Sequence, residues 1–271
     1  MPSVTAPPLT LLYVPADRPD RVEKALASSA DVVAVDLEDA VAPERKEQAR
    51  ENVLDLLSDG PQGRHVQVRI NPRGSDWHES DLDCVAHLHL GIAIRLPKVI
   101  APEDVQAVRR RTGARAIHAL IESALGVERA FEIASAGVES LGLPAGSRDD
   151  EGLTWARARI VNAAAAAGLV PPMMSVHTRL KDDEGLRRSS EFGRSLGFLG
   201  RTAIHPAQLE TIRAAFRPSR DELATARATL TRLDGARVDG AGTVVLNDGS
   251  FLDVAMVESA ERTVSLALTS E

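Results

Sequence analysis

The chain has 271 residues, of which 44% are hydrophobic but only 3% aromatic, and its formal net charge is -7 at pH 7. This length fits one α/β barrel of ~250 residues or two smaller domains, with a core built mainly from aliphatic side chains. The negative charge argues against a nucleic-acid surface, and no run of about 20 apolar residues predicts a membrane span. A single cysteine, Cys84, excludes an intrachain disulfide framework, and the first residues lack a signal-peptide pattern. We therefore expect a cytoplasmic protein.

Short apolar segments that resemble strands alternate with helix-like segments along most of the chain. The predicted strands, by residue number, are 9–14, 31–37, 65–71, 92–99, 114–121, 138–143, 172–177 and 200–204. The predicted helices are 21–29, 43–57, 79–90, 102–111, 124–136, 153–167, 183–196 and 209–216. Eight such units with short connections predict a parallel sheet with helices outside it, closed into a TIM (β/α)8 barrel. The strand over 172–177 is the most weakly indicated, because two prolines and two methionines surround its start.

The pattern changes at both ends of this array. Residues 1–8 are predicted to be a flexible N-terminal arm, residues 9–217 the barrel, and residues 218–271 a C-terminal appendage. In the appendage, Ser219 has the position of a helix N-cap with Glu222 completing a capping box. A hairpin over 240–251 and a final helix over 253–265 follow, which gives a helix–hairpin–helix order. We expect the appendage to cover the barrel mouth or to contact another subunit.

A valine-rich run, VAVDLED over 33–39, ends in three acids within four positions. Such a run is typical of a strand that is buried on both faces. Asp36, Glu38 and Asp39 then lie at the carboxyl end of that strand, where α/β proteins place their chemistry. The simpler interpretation, that these acids cap the next helix and contact solvent, stays open at this point.

Polar residues also end the other predicted strands, and in a barrel all of these ends meet on one face. They are Arg69, Asn71, Lys98, Glu122, the loop 146–150 and His205. Glu122 stands out because a carboxylate at the end of an apolar strand is costly unless it is paired, protonated or bound to a metal. Lys98 and His205 have structural interpretations too, as half of an ion pair and as a hydrogen-bonded core residue.

Carboxylate oxygens without histidine-rich or cysteine-rich partners favour Mg²⁺ over zinc. An arginine at a neighbouring strand end can bind a carboxylate through two hydrogen bonds. Together these groups suit the binding of a 2-oxo or hydroxy acid and the stabilisation of an enolate, as in a carbon–carbon lyase or aldolase. Neither a dinucleotide-binding glycine motif nor a P-loop is present.

Seven short motifs in this order resemble one known family. They are YVPADRP (13–19), VDLED (35–39), RIN (69–71), LPK (96–98), ALIES (119–123), KDDEGL (181–186) and AIHPAQ (203–208). Together they resemble the citrate lyase beta subunit-like branch of the HpcH/HpaI aldolase superfamily, over residue 9 to about residue 227. The resemblance implies a TIM barrel and a Mg²⁺-dependent lyase acting on acyl-CoA esters of hydroxy acids such as citryl-, malyl- and citramalyl-CoA. It also implies a homotrimer or hexamer.

The resemblance carries roles onto individual residues. Arg69 matches the arginine that binds the substrate carboxylate, and Glu122 matches the first metal ligand, which also faces the substrate. Glu38 and Asp39 match an acidic pair that supports the metal and the reaction. Arg18 lies in the segment where such proteins meet the CoA portion of the substrate.

Two positions depart from the family pattern. The second metal ligand, an Asp after the sixth strand, is matched by Asp149, although a gap-free alignment puts Ser147 there and Asp150 is a third option. Relatives often have a catalytic Asp where this chain has Met174, and a methionine cannot transfer a proton. These departures keep an alternative open, in which the chain is a catalytically reduced homologue that binds an acyl-CoA or a dicarboxylate, or a subunit of a larger lyase complex.

The first expectation is therefore a Mg²⁺-dependent carbon–carbon lyase that cleaves or forms an acyl-CoA ester of a hydroxy acid. Its expected partners are a small-molecule acyl-CoA or dicarboxylate substrate and further copies of itself, with neither nucleic acid nor membrane.

Overall fold

The computed structural model describes residues 7–143, 152–238, 244–245, 251–252 and 254–268. The chain divides into two compact units, with a boundary after Phe216. The first unit, Pro8–Phe216, holds a seven-stranded parallel sheet with its helices, and the second contains Pro7 and the residues from Arg217 onward.

The strands of the sheet are β1 (Thr10–Pro15), β2 (Val32–Asp36), β3 (His65–Arg69), β4 (Ala93–Leu96), β5 (Ile117–Leu120), β6 (Ser140–Gly142) and β7 (Arg201–Ala203). Their spatial order is β6-β5-β4-β3-β2-β1-β7, and every neighbouring pair is parallel. All five residues of β2 are buried, as the valine-rich run predicts. The sheet is curled, and the fold is an α/β fold of TIM type.

Helices follow the strands as the alternation predicts. They are α1 (Pro19–Leu26), α2 (Lys46–Leu57), α3 (His78–Ala86), α4 (Pro102–Thr112), α5 (Ala124–Glu128), α6 (Ala130–Ala134), α7 (Thr154–Ala166), α8 (Asp183–Ser195) and α9 (Gln208–Phe216). The predicted helix 124–136 is wrong as a single element, because its backbone leaves helical geometry at Arg129 and gives two short helices, α5 and α6.

The predicted strand over 172–177 does not form as a strand. Only two isolated parallel bridges occur there, Gly142 with Met173 and Met174 with Arg201. The ladder stops on one side because Pro171 and Pro172 have no backbone N–H to donate. On the other side, the Ser175 carbonyl accepts from the Arg201 side chain, Nε to O 2.8 Å, instead of from a strand. The two bridges nevertheless link β6 to β7, the two edges of the sheet.

The second unit contains α10 (Arg220–Val238), an antiparallel pair of two-residue strands, β8 (Val244–Val245) and β9 (Phe251–Leu252), and α11 (Val254–Leu268). The capping box at the start of α10 is formed: the Ser219 N–H donates to Glu222 Oε2 at 2.7 Å, and the Glu222 N–H donates to Ser219 Oγ at 3.1 Å. In the part of the chain that the structure describes, no helix is both long and apolar enough to cross a membrane.

Candidate active site

Arg69 is the last residue of β3, and its guanidinium is held on several sides. Nε and Nη2 donate to the two carboxylate oxygens of Asp36, at 2.7 and 2.6 Å. Asp36, which is completely buried at the end of β2, also accepts the backbone N–H groups of Glu38 and Ala40. Burial alone would lower the pKa of Arg69, but the hydrogen bonds and charge of Asp36 outweigh it and raise that pKa. Asp36 thus fixes the arginine and has no oxygen left for a ligand.

Glu38 lies between two cations. Its Oε2 is 3.0 Å from Arg69 Nη1, and its Oε1 is 3.0 Å from Lys98 Nζ. Burial raises the pKa of Glu38, against the opposing charges of Arg69 and Lys98. The pKa of Lys98 is raised in turn by its contact with Glu38. A buried carboxylate with a raised pKa, next to a lysine whose side chain is 52% exposed, is a group that can exchange a proton with a ligand.

Glu122 follows β5 and joins this group through the backbone of Lys98. The Lys98 N–H donates to Glu122 Oε2 at 3.0 Å. Lys98 has a φ of 53°, a left-handed conformation that costs a non-glycine residue ~1–3 kcal/mol. This conformation lets one residue contact two acids, Glu122 with its backbone and Glu38 with its side chain.

A close approach of two loops keeps Glu122 and Lys98 together. A Cβ atom on Gly126 in α5 would lie 2.7 Å from the Val99 carbonyl oxygen, so only glycine fits there. The Ser123 side chain caps the same helix by accepting from the Gly126 N–H. The loop after β4 and the start of α5 are therefore packed directly against each other.

The electrostatics of Glu122 favour a bound cation. Burial raises its pKa, and the charge of Asp39 adds to this, while Arg69 and Lys98 oppose it. A carboxylate in this situation gains from a nearby positive ion, and oxygen donors suit Mg²⁺. Among the described residues, no three or more histidine, cysteine or acidic side chains are arranged to hold a metal. The other candidate ligands, Asp149, Asp150 and Ser147, lie outside the described residues.

The remaining predicted site residues, Asp39, Arg18 and His205, make fewer or longer contacts with Arg69, Glu38, Lys98 and Glu122. The Asp39 side chain is 69% exposed, with an oxygen 3.9 Å from Arg69 Nη1. Arg18 lies after β1, at the same end of the sheet, but its guanidinium pairs with Asp20 of α1. His205 is exposed and accepts the backbone N–H of Ala207 at Nδ1, so its alternative interpretation as a hydrogen-bonded core residue is wrong.

Asn71 and Met174 both have structural surroundings. The buried Asn71 donates to Asp81 and to the Leu37 carbonyl, and it accepts from Lys46. Met174 is fully buried, and the space beside it is so tight that a Cβ on Gly193 of α8 would lie 2.5 Å from its Cγ. In this chain Met174 fills the layer between the sheet and α8.

Sequence reasoning missed a set of polar side chains around Arg69. Arg95 in β4 donates to Tyr13 Oη at 2.8 Å and to Gln67 Oε1 at 3.0 Å, and Tyr13 in turn lies under Arg69, with 4.5 Å from Cζ to the ring centroid. The available signal was an arginine within the otherwise apolar strand AIRL, since a buried cation in such a strand requires polar partners.

Comparison with known proteins places this geometry in a family. The family model described as HpcH/HpaI aldolase/citrate lyase matches residues 9–206. A (3S)-malyl-CoA thioesterase of Cereibacter sphaeroides is 33% identical over 270 residues, covering 95% of this chain and 94% of the relative. The L-malyl-CoA/beta-methylmalyl-CoA lyase of the same species is 30% identical over 292 residues, covering 92% and 91%.

A solved structure agrees over almost the whole chain. The CitE protein of Mycobacterium tuberculosis, in complex with magnesium, acetoacetate and coenzyme A, superposes with a TM-score of 0.80. It has 32% sequence identity and covers 97% of this chain and 98% of its own. With the ordered motifs, the parallel TIM-type sheet and the family model all in agreement, the chain belongs to the HpcH/HpaI aldolase/citrate lyase family.

Proposed function

We propose that this chain is a Mg²⁺-dependent carbon–carbon lyase that cleaves, or in reverse forms, an acyl-CoA ester of a hydroxy acid. The observation that carries the proposal is the joining of Arg69, Glu38, Lys98 and Glu122 by contacts of 3.0 Å at the carboxyl ends of four adjacent strands, β2 to β5. Named relatives act on malyl-CoA esters, and a solved relative was crystallised with magnesium and coenzyme A. Citryl-, malyl- and citramalyl-CoA are the proposed substrates.

The donor set fits magnesium in part. Mg²⁺ accepts one or two protein carboxylates and completes its shell with water and substrate oxygens. Glu122 is the described carboxylate that we propose as one ligand, and Asp149 is proposed as the second. When bound, Mg²⁺ would withdraw charge from the substrate oxygens that it touches.

The chain's own residues would bind the substrate and handle the proton. The Nε and Nη2 edge of Arg69 is engaged by Asp36, so Nη1 is the part that we propose for the substrate carboxylate, next to Glu38 and Asp39. In the cleavage direction Glu38, with its raised pKa, would take the proton of the substrate hydroxyl group at Oε1, the oxygen that faces Lys98. The carbonyl of the oxo acid then forms as the carbon–carbon bond breaks, and the electron pair of that bond passes to the acyl thioester as its enolate. Arg18 is proposed for the CoA portion, and a homotrimer or hexamer for the assembly.

A second candidate is a thioesterase or a catalytically reduced binding protein. A relative at 33% identity is a (3S)-malyl-CoA thioesterase. The resemblance to the family also implies an acid at about the position of Met174. A thioesterase breaks the bond between the acyl group and sulfur and releases a free thiol. A lyase breaks a carbon–carbon bond and leaves the thioester intact.

One assay separates these activities. Malyl-, citramalyl- and citryl-CoA are incubated with the protein in Mg²⁺ or in EDTA, and the oxo acid and the free CoA thiol are measured separately. We expect oxo acid without an equal amount of thiol, and only in Mg²⁺. Thiol without oxo acid would establish the thioesterase, and no turnover with measurable binding would establish the reduced homologue.

The assay includes a variant of the proposed ligand and a matched control. Glu122→Gln keeps the shape of the side chain but removes its charge, and we expect kcat/KM to fall by about 100-fold or more. Glu132→Gln is the same change at an exposed position on α6 and is expected to leave the activity unchanged. Equal activity of Glu122→Gln and the wild type would overturn the assignment of Glu122.

A further inference from the structure

Near Arg69, a group of five polar side chains lies on β1 and β3 to β6. We name this group the lumen network, and it consists of Tyr13, Gln67, Arg95, His118 and Ser140. Arg95 in β4 reaches Tyr13 in β1, although β3 and β2 lie between these two strands in the sheet. Its side chain therefore crosses the interior of the curled sheet. Arg69, Arg95 and His118 are register partners on consecutive strands, and His118 Nδ1 is 2.8 Å from Ser140 Oγ.

Arg95 is buried without a carboxylate partner among the described residues. Only 5% of it is exposed, and the groups that accept from it are neutral: the phenol oxygen of Tyr13 and the amide oxygen of Gln67. The neighbouring His118 stays uncharged, since burial and the charge of Arg95 lower its pKa to about 3. A buried guanidinium with neutral partners is costly, so its position calls for a specific role.

Tyr13 connects this cation to the candidate active site. The centroid of its ring is 4.5 Å from Arg69 Cζ and 5.7 Å from Arg95 Cζ. Asp36 and Glu38 hold Arg69 by the edges of its guanidinium, whereas Tyr13 supports the flat face. The Tyr13 ring packs against the core cluster of Leu11, Val32 and Ala34, and among the described residues its hydroxyl group accepts a hydrogen bond from Arg95 Nε.

We propose that Arg95 is a positioning residue, which through Tyr13 holds the guanidinium of Arg69 in the plane in which it binds a substrate carboxylate. This inference rests on the proposed function only for the identity of the ligand. The mechanical link from Arg95 to Tyr13 to Arg69 exists independently of any reaction, and it can be tested in the protein without a ligand.

The first test reads Arg69 directly by NMR. The Arg69 Nε–H signal is assigned by its absence from Arg69→Lys protein, and its chemical shift and exchange with water are followed in the variants. Because the tyrosine ring shifts nearby protons, Arg95→Met is expected to move the signal and to speed its exchange. In Arg95→Lys, the chemical shift and the exchange rate of the signal should both lie between those of Arg95→Met and those of the wild type. Tyr13→Phe, which removes only the oxygen that accepts from Arg95, should reproduce the change if Arg95→Met does not fold.

An Arg69 signal that is unchanged in the folded Arg95→Met or Tyr13→Phe protein would overturn the inference. This result is distinct from a failure of the proposed function. If the wild type cleaves no thioester, the lyase proposal fails, while the NMR result still decides whether Arg95 positions Arg69.

The second test applies to the active enzyme. We expect Arg95→Met to raise KM for the hydroxyacyl-CoA ester about 10-fold, with kcat changed less than about 3-fold, because a substrate-binding group is misplaced. In the double variant Tyr13→Phe/Arg95→Met, KM should lie within about 2-fold of the higher of the two single-variant values. The reason is that both substitutions break the same link between Arg95 and Tyr13. Additive effects, or an effect on kcat alone, would contradict the inference.

Discussion

Three acids within four positions at the carboxyl end of β2 have three different environments. Asp36 is completely buried and bound on both oxygens, Glu38 lies between two cations, and the Asp39 side chain is mostly exposed. The sequence predicted that this stretch is important, but it could not separate these environments. Each environment depends on Arg69 or Lys98, which belong to another strand or loop. The sequence alone does not show how close these residues lie to the three acids.

His118 provides a prediction for the dependence of stability on pH. Its pKa in the folded protein is about 3, below the value of about 6.5 in an unfolded chain. Below pH 6.5 the unfolded chain therefore binds a proton that the folded protein does not, and stability is lost as the pH falls from 6.5 towards 3. Between pH 7 and pH 5, we expect the free energy of unfolding to fall by ~2 kcal/mol more in the wild type than in His118→Gln.

Urea unfolding at the two pH values measures this difference, and the NMR titration of the imidazole measures the pKa itself. The glutamine variant is a suitable reference because its amide can still bond to Ser140 while it has no proton to gain. An imidazole signal of folded His118 that titrates near pH 6 would contradict the prediction.

The elements themselves were predicted well where periodicity or caps mark them. The alternation of strands and helices, the buried β2 and the capping box at Ser219 follow from local patterns. The break in the predicted helix 124–136 was not visible, because neither glycine nor proline stands at Arg129, where the backbone changes. The role of Met174 was also hidden, since it depends on the glycine that faces it from α8.

The contact between Met174 and α8 predicts a coupled pair of substitutions. Gly193→Ala would place a methyl group 2.5 Å from Met174 Cγ, so we expect a loss of ~1–3 kcal/mol in the free energy of unfolding. Met174→Ala alone should cost ~2–5 kcal/mol because it leaves a cavity. In the double variant Met174→Ala/Gly193→Ala, the loss in the free energy of unfolding should be smaller than the sum of the two single losses. The shorter side chain at position 174 makes room for the new methyl group at position 193, and that methyl group fills part of the cavity.

Denaturant unfolding of the four proteins gives the coupling energy. Additivity within ~0.5 kcal/mol would show that the two residues do not share one packing site. Retained activity in the folded Met174→Ala protein would agree with a packing role for this side chain.

For the molecule as a whole, the sequence predicted the parallel α/β fold but not the way in which the edges of the sheet meet. The stretch after Pro172 supplies two bridges in place of a full strand. Between β7 and β1, the Arg201 N–H donates to the Leu9 carbonyl at 2.9 Å. Gly200, the residue before Arg201, has a φ of +83°. Such close backbone contacts between the first and the last strand cannot be derived from either segment alone.

Gly200 therefore offers a test of this closure. In Gly200→Ala, the new Cβ would lie 2.4 Å from the Leu9 carbonyl oxygen, a backbone atom that cannot move aside without breaking the pairing of β1 with β7. We expect a loss of at least ~3 kcal/mol or a failure to fold. Gly168→Ala is the matched control, with a φ of +70° and no atom within 4 Å, and should cost ~1 kcal/mol. Equal midpoints of denaturation in the two variants would contradict the account of closure.

We propose that Arg69 and Glu122 bind one substrate together with a divalent cation. The most direct measurement is a crystal structure with Mn²⁺ in place of Mg²⁺ and a bound dicarboxylate, in which anomalous scattering locates the ion. We predict one ion at the carboxylate of Glu122, with a further ligand from Asp149 and a substrate carboxylate at Arg69 Nη1. Anomalous density away from Glu122, or a dicarboxylate that does not contact Arg69, would contradict the account.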